Sequence, residues 1–409
     1  MPKSEAPRLA ILGAGPIGLE AGLYAKKLDL PFTIYERGRI GEHLLRWGHV
    51  RLFSPFAMNA TQLGRNAIKS VKPGHELPTD DACITGREHV AQYLAPLAET
   101  LQGNIQNDNV VLKIGRRGLL KSDSDGNRAK KPFRLLVRDK TRERIEEADV
   151  VLDCTGTYAQ HRWLGDGGIP AVGELQVEPQ IAYGLEDILG DRKLQYANRT
   201  VLVVGAGYSA ATTVCNLAQI APENQTTWAI WLARDPSSTP LRRIPNDPLR
   251  ERDRLAVRAN NLATRSDDNV EFHAGSVVEA IEFLGQDRGF RVTARTPEKS
   301  RTWEVERVIG NVGYTPDTNL YRELQVHECY ASLGPMNLAA ALAGSKDLDC
   351  TKQTCQGAET LRNPEPNFYV LGAKSYGRSS NFLMRVGFEQ VREVFTLIAG
   401  DTKLDLYKK

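Results

Sequence analysis

The run Gly13-Ala14-Gly15-Pro16-Ile17-Gly18 limits what this chain can fold into more than any other segment. An apolar stretch, 8–12, leads into it. Leu19, Ala21, Leu23, Tyr24, Ala25 and Leu28 follow at helical spacing. The pattern predicts a strand, a tight turn and a helix. A second strand, 31–35, then closes on Glu36, with Arg37 beside it. Gly13 permits the turn, Gly15 lets a phosphate approach the backbone, and Gly18 lets helix and strand pack closely. The helix N-terminus offers free N–H groups to the anion. Glu36 stands 18 residues after Gly18, where a carboxylate accepts hydrogen bonds from ribose hydroxyls. Three glycines alone make a generic turn. Strand, helix, second strand and terminal acid together predict a nucleotide site.

A second unit of this kind follows. A predicted strand, 199–204, feeds Gly205-Ala206-Gly207-Tyr208-Ser209-Ala210 and a helical stretch to 218. Ala210 takes the place of the third glycine, which needs only a small residue. The next predicted strand, 227–233, is followed by Arg234, with Asp235 adjacent. An arginine there faces a 2′-phosphate and favours NADPH over NADH, or else is a solvated strand-end residue. Arg242, Arg243 and Arg250 add positive charge in a loop rich in proline and serine.

Further strands are predicted after each unit. They cover 109–114, 133–138, 142–146 and 150–153, then 270–272, 277–283, 289–295 and 302–309. Each set reads as a β-meander with a return strand. The expected fold is α/β, with two Rossmann-like three-layer nucleotide-binding domains, each carrying a meander.

Composition excludes several alternatives. A chain of 409 residues has room for two or three domains and a core without disulfides. Its 53 basic and 50 acidic residues leave a net charge of +3, which makes no general case for nucleic acid. No apolar run reaches the roughly 18 to 20 residues of a membrane span. Residues 1–8 are short and polar, without a signal peptide's apolar core. The six cysteines are too scattered for a disulfide framework, and no four-ligand metal pattern occurs. A soluble protein of the reducing cytoplasm is expected.

Three more segments complete the pattern. Asp153-Cys154-Thr155-Gly156 ends the first return strand, and 310–317, Gly-Asn-Val-Gly-Tyr-Thr-Pro-Asp, ends the second. A last apolar strand, Phe368-Tyr369-Val370-Leu371-Gly372, precedes an amphipathic stretch, 382–398. With the two glycine loops, these motifs resemble the flavoprotein superfamily with two dinucleotide-binding domains. Thioredoxin and glutathione reductases, flavin-containing monooxygenases and Baeyer–Villiger monooxygenases belong to it. The resemblance implies FAD on the first loop and NADPH, or NADH, on the second. It implies an NAD(P)H domain, 166–317 with its linker, inserted into a discontinuous FAD domain, 1–165 and 318–409. Thr155, Gly156 and Gly372 then border the FAD. Many relatives place a ribityl-binding aspartate where this chain has Ala373. Lys374, Ser375 or Tyr376 is left as a substitute, although Lys374 equally fits a solvated turn. In relatives the last helix starts near the flavin, and Ser379 or Ser380 is a candidate cap.

The chemistry is less constrained. Disulfide reductases carry C-x-x-x-x-C soon after the ribose acid or C-x-x-C in the second domain, and neither is present. Cys350 and Cys355 have the first spacing, but in a polar stretch, 345–359, where ordinary or surface cysteines are expected. Residues 41–47 resemble the G-x-W segment of the monooxygenase branch. They put His43, Trp47, His49 and Arg51 near flavin or diphosphate, with plain core as the alternative for Trp47. The histidine fingerprint of that branch is absent. His161 lies at a similar place, as a proton donor, a cofactor gate or a structural histidine. The expected activity is a monooxygenase acting on a small organic substrate through a reduced-flavin oxygen adduct, with molecular oxygen as co-substrate. A reductase or oxidase without oxygen insertion is the alternative, and a nucleotide-binding redox sensor the third reading. His161, Lys374 and Tyr376 are the candidate catalytic residues. Segments 41–90 and 320–360, where substrate would bind, carry no recognisable signature.

Overall fold

The first glycine loop follows strand β1, Leu9–Leu12, and opens helix α1, Pro16–Lys27. This is a computed structural model, and it describes residues 6–124, 126–265, 269–344 and 350–408. The chain continues through β2 (Phe32–Tyr35) and β3 (Ile105–Gln106), separated by short helices. It then forms β4 (Val110–Arg116), β5 (Phe133–Arg138), β6 (Glu143–Ala148) and β7 (Val150–Asp153). The second region holds β8 (Ala182–Tyr183), β9 (Thr200–Val204), helix α2 (Tyr208–Ile220) and β10 (Trp228–Leu232). It continues with β11 (Val270–His273), β12 (Val277–Gly285), β13 (Gly289–Arg295), β14 (Ser300–Val305) and β15 (Arg307–Gly310). The chain ends with β16 (Phe368–Val370) and helix α3 (Met384–Ala399). Two compact units result, 1–160 with 315–409, and 161–314.

Each unit has one five-stranded parallel sheet and one three-stranded antiparallel meander. The parallel orders are β16-β7-β1-β2-β3 and β11-β10-β9-β15-β8. Their strands are apolar along their whole length because both faces are covered. In β1, Leu9 and Ile11 pack toward the helices, while Ala10 and Leu12 pack toward the meander. In β9, Val201 and Val203 face the helices and Leu202 and Val204 face the meander. The meander strands alternate instead, since one face meets water. Phe133, Leu135 and Val137 are buried between less buried neighbours, as are Phe290, Val292 and Ala294.

The strand expected over 302–309 is two strands. The meander ends at Val305, and the chain enters the parallel sheet at Arg307. Glu306 marks the joint. Its carboxylate accepts the Thr200 backbone N–H at 2.6 Å and pairs with Arg199 at 3.2 Å. Asp149 does the same between β6 and β7, accepting the Arg8 N–H at 2.8 Å and pairing with Arg8 at 3.2 Å. The same acid-and-arginine fastening thus holds the start of the central strand in both units. Among the described residues, no helix is long and apolar enough to cross a membrane.

Candidate functional site

In each parallel sheet the chain leaves the central strand in one direction and returns on its other side. The carboxyl ends of those two strands form the crevice where open α/β sheets bind ligands. In the first unit this crevice lies between β1 and β7. Gly13, at φ +96°, is so close to β7's end that a Cβ there would stand 2.9 Å from the Cys154 carbonyl oxygen. In the second unit it lies between β9 and β15, and a Cβ on Gly205 would stand 2.3 Å from the Asn311 oxygen. Both loops have the same construction.

The third loop position is equally confined. A Cβ on Gly18 would lie 1.9 Å from the Gly13 oxygen. Ala210 fills the matching place and is fully buried. The middle glycines are the opposite case. Among the described residues, beyond the adjoining chain and the helix's own backbone, nothing lies within 4 Å of a Cβ built on Gly15 or on Gly207. These residues are the N-caps of α1 and α2, and no side chain caps either helix. By contrast, Thr61 and Thr85 cap their helices with their side chains. Each nucleotide loop therefore offers an uncapped helix N-terminus behind an open glycine, a cradle suited to a diphosphate. Pro16 sits in the first turn of α1, and Tyr208 and Ser209 in that of α2.

Glu36 closes the first cradle. Its buried carboxylate accepts the Ala14 N–H at 2.7 Å and the Gly38 N–H at 2.8 Å. Each oxygen keeps acceptor capacity for a ribose hydroxyl. In the second unit, the Asp235 carboxylate turns into its own loop and accepts the Ser237 N–H at 2.8 Å. Arg234 is exposed beside it, at the carboxyl end of β10. Arg243 is tied to Asp253 at 2.9 Å, whereas Arg242 and Arg250 are exposed. Arg234 is thus the strand-end arginine, at the position where a 2′-phosphate is expected. A charge-assisted pair with phosphate contributes about 1.5–3 kcal/mol. Arg234→Ala is expected to raise the KM for NADPH roughly tenfold or more while leaving that for NADH within about twofold, measured by initial rates. Equal coenzyme use by the wild type would reject this assignment.

Thr155 and Gly156 follow β7 into the first crevice. The Thr155 hydroxyl and N–H donate to Asp153 Oδ1, at 2.6 and 3.1 Å. Lys374, after β16, is buried, and its Nζ donates to Asp153 Oδ2 at 2.6 Å and to Thr155 at 3.0 Å. Lys374 is therefore a tie between two strand ends, rather than a solvated turn lysine. Gly372, at φ +70°, donates its N–H to Gln390 Oε1 at 2.8 Å, and Gln390 also donates to Ser375 at 2.9 Å. Ala373 is partly exposed beside this turn, and Tyr376 is buried against Phe382 with its hydroxyl pushed up to about 12 by burial. Gln390 was not foreseen. It lies between Val386 and Val394 at helical spacing, a polar break in the apolar face of α3. Helix α3 starts at Met384 with Leu383 as its N-cap, so neither Ser379 nor Ser380 caps it.

The segment after the ribose acid brings Arg37, His43 and Trp47 to the same end. Trp47 packs on Gly86 and lies 6.1 Å, ring to ring, from Tyr158. Its indole nitrogen is buried without a hydrogen-bond partner. In the second unit, His161 stacks on Tyr183 with ring centroids 3.5 Å apart. Its Nδ1 is 3.0 Å from the Arg162 carbonyl oxygen and its Nε2 is 3.0 Å from Glu178. Both ring nitrogens are engaged. All six cysteines are free, Cys350 is buried, and burial pushes the Cys154 and Cys355 thiols up. Residues 345–349, in the expected polar stretch, lie outside the described residues.

A family model described as pyridine nucleotide-disulphide oxidoreductase matches residues 10–121, from β1 to just past the first meander strand. Among solved structures, the chain is similar to bacillithiol disulfide reductase from Bacillus cereus, at 16% identity over 97% of this chain and 99% of that one, with a TM-score of 0.68. The fold is that of the two-dinucleotide-binding FAD/NAD(P)H oxidoreductases. The FAD-bound cadaverine monooxygenase of Erwinia amylovora matches at 16% identity over 97% and 95% of the two chains, with a TM-score of 0.66. Lactococcus lactis thioredoxin reductase matches at 14% identity over 97% and 98%, with a TM-score of 0.59. No curated protein sequence matches. Reductases and monooxygenases thus share this fold, and the likeness stops at the fold without selecting the monooxygenase branch.

Proposed function

We propose that this protein is an FAD- and NAD(P)H-dependent oxidoreductase that works as a reductase or oxidase on a small molecule, without inserting oxygen. The carrying observation is the pair of open, uncapped glycine cradles at the two switch points. The first unit, with Gly13, Gly15, Gly18, Glu36, Thr155 and Gly156, holds the FAD. The second, with Gly205, Gly207, Ala210 and Arg234, holds the nicotinamide cofactor, NADPH in preference to NADH. The bound flavin supplies the redox chemistry by accepting hydride and passing on the electrons. The protein's residues bind, orient and shield.

Two features favour this reading over oxygen insertion. An oxygen-inserting flavoprotein must manage protons in a dry site. Here His161 has both nitrogens occupied, and Lys374 is committed to Asp153 and Thr155. The cysteines make an internal dithiol relay an equally poor candidate, since the Cys154 thiol, at the first cradle, is held protonated by burial and by Asp153. The acceptor is then a small molecule meeting the flavin directly.

The test is reduction of the reconstituted protein with NADPH, followed by air under 18O₂ across a substrate panel. The expected result is NADPH consumption with one peroxide per NADPH, or with stoichiometric reduction of a panel acceptor. Label from 18O₂ in an organic product would establish oxygen insertion and overturn the proposal.

A further inference from the structure

Arg37 and His43 are joined by a hydrogen bond whose direction is fixed by chemistry. Arg37 Nη2 lies 2.7 Å from His43 Nε2. A guanidinium carries only donors. His43 Nε2 must therefore be the acceptor, and the neutral ring holds its proton on Nδ1. Among the described residues, apart from the adjoining chain, that nitrogen is the one atom within 4 Å of a Cβ built on Gly156, at 3.6 Å, and the space before this glycine is otherwise open. Gly156 lies three residues beyond β7, at the end of the sheet where Cys154 meets Gly13. Among the described residues no hydrogen bond engages Nδ1, so its N–H borders the first cradle as a donor ready for use.

We propose that Arg37 locks His43 in the Nδ1–H form, and that this N–H donates to an acceptor oxygen of the dinucleotide beside Gly156. The inference rests on the assignment of FAD to the first unit. His43 is then a cofactor-binding residue, and Arg37 is a positioning residue acting through it. The groups around the ring agree with a neutral imidazole. Burial, then Arg37 and Arg46, hold His43 down to about 4, opposed only by Glu42, and the Tyr158 ring lies 5.9 Å away. A charged ring would put a donor on Nε2 against a guanidinium, which the pair cannot accommodate.

The test has two readouts on the full chain. The first is ¹⁵N NMR of histidine-labelled apoprotein at neutral pH, which reports the tautomer without any cofactor. Wild type is expected to show His43 neutral with Nδ1 protonated, and Arg37→Met to show a mixture of both neutral forms. Arg37 is exposed, so this variant is expected to fold. The second is titration of apoprotein with FAD and, separately, with ADP. His43→Phe is expected to weaken FAD about tenfold, the loss of one good hydrogen bond, and His43→Asn, whose amide N–H stands near the Nδ1 position, to recover most of it. A loss shared by ADP places the acceptor on the diphosphate, and a loss confined to FAD places it on the flavin half. An Nε2–H or charged ring in the wild type overturns the proposal. So does unchanged FAD affinity in His43→Phe, or failure of His43→Asn to recover. Wild-type protein that binds no FAD would reject the FAD assignment itself, while the NMR still reports the Arg37–His43 lock.

Discussion

Gly15→Val is expected to give a folded protein that takes up no FAD. The two halves of that result have separate causes. Gly15 has φ −83° and ψ −174°, extended backbone that any residue adopts. Among the described residues, beyond the adjoining chain and the helix's own backbone, no protein atom lies within 4 Å of a Cβ built there. The apoprotein therefore tolerates a side chain, apart from a poorer helix cap costing about 1 kcal/mol. At this size that lowers Tm by only about 2–4 °C. The diphosphate, however, needs the same space, since it binds by lying against the backbone of the loop. Affinity for FAD is expected to fall more than about 100-fold, which displaces over ~2.7 kcal/mol. Gly18→Val is the control. Its Cβ would stand 1.9 Å from the Gly13 backbone oxygen, so it is expected to disrupt the fold itself. The measurements are flavin titration of the apoproteins and thermal unfolding without ligand. If Gly15→Val retains flavin near stoichiometry, the cradle is not the FAD site.

The contrast between Gly15 and Gly18 also shows what the sequence could convey. Both glycines are legible as a motif, because strand, turn and helix impose local steric demands within a few residues. The period-two alternation of 133–138 and 289–295 is legible for the same reason, and those strands fall where expected. The break at Glu306 was readable in principle, since two adjacent polar residues interrupt the alternation between Val305 and Val308. Other features depend on partners far along the chain. Lys374 reads as a turn lysine until β16 is laid beside β7 and brings it to Asp153. Glu20 interrupts an otherwise small and apolar helix, and its partners are Tyr407 in the C-terminal tail, which donates to it at 3.0 Å, and Thr61, which donates at 3.1 Å. Burial raises Glu20 to about 7. No local pattern announces such a bond. The two acid fastenings, Asp149 with Arg8 and Glu306 with Arg199, belong to the same class. Their repetition becomes visible only when both sheets are assembled.

Glu365→Gln is expected to destabilise the first unit by about 3–5 kcal/mol, the range for stripping one partner from a buried ion group. Glu365 is wholly buried between two arginines. Its Oε1 accepts Arg116 Nε at 2.7 Å, and its Oε2 accepts Arg128 Nε at 3.0 Å and the Gln325 backbone N–H at 2.8 Å. Arg116 is equally buried, with its guanidinium 3.5 Å from the centre of the Phe133 ring and its Nη1 on the Lys131 carbonyl oxygen at 2.5 Å. Arg128 is 6% exposed. The group already carries one positive charge more than it balances. Glutamine keeps the shape but leaves two guanidinium groups facing one another out of water, so their repulsion adds to the cost of desolvation. The consequence reaches the candidate site, because Glu365 lies just ahead of β16, which leads into the Gly372 turn. Urea unfolding followed by far-UV circular dichroism measures the loss, and flavin retention during the transition reports on the site. Replacing Arg116 by Met in the same chain removes one of the unmatched charges and is expected to return part of the stability, the coupling that a double-mutant cycle isolates. A loss within about 1 kcal/mol for Glu365→Gln would mean that water reaches the arginines and that the triad does not hold β16 in place.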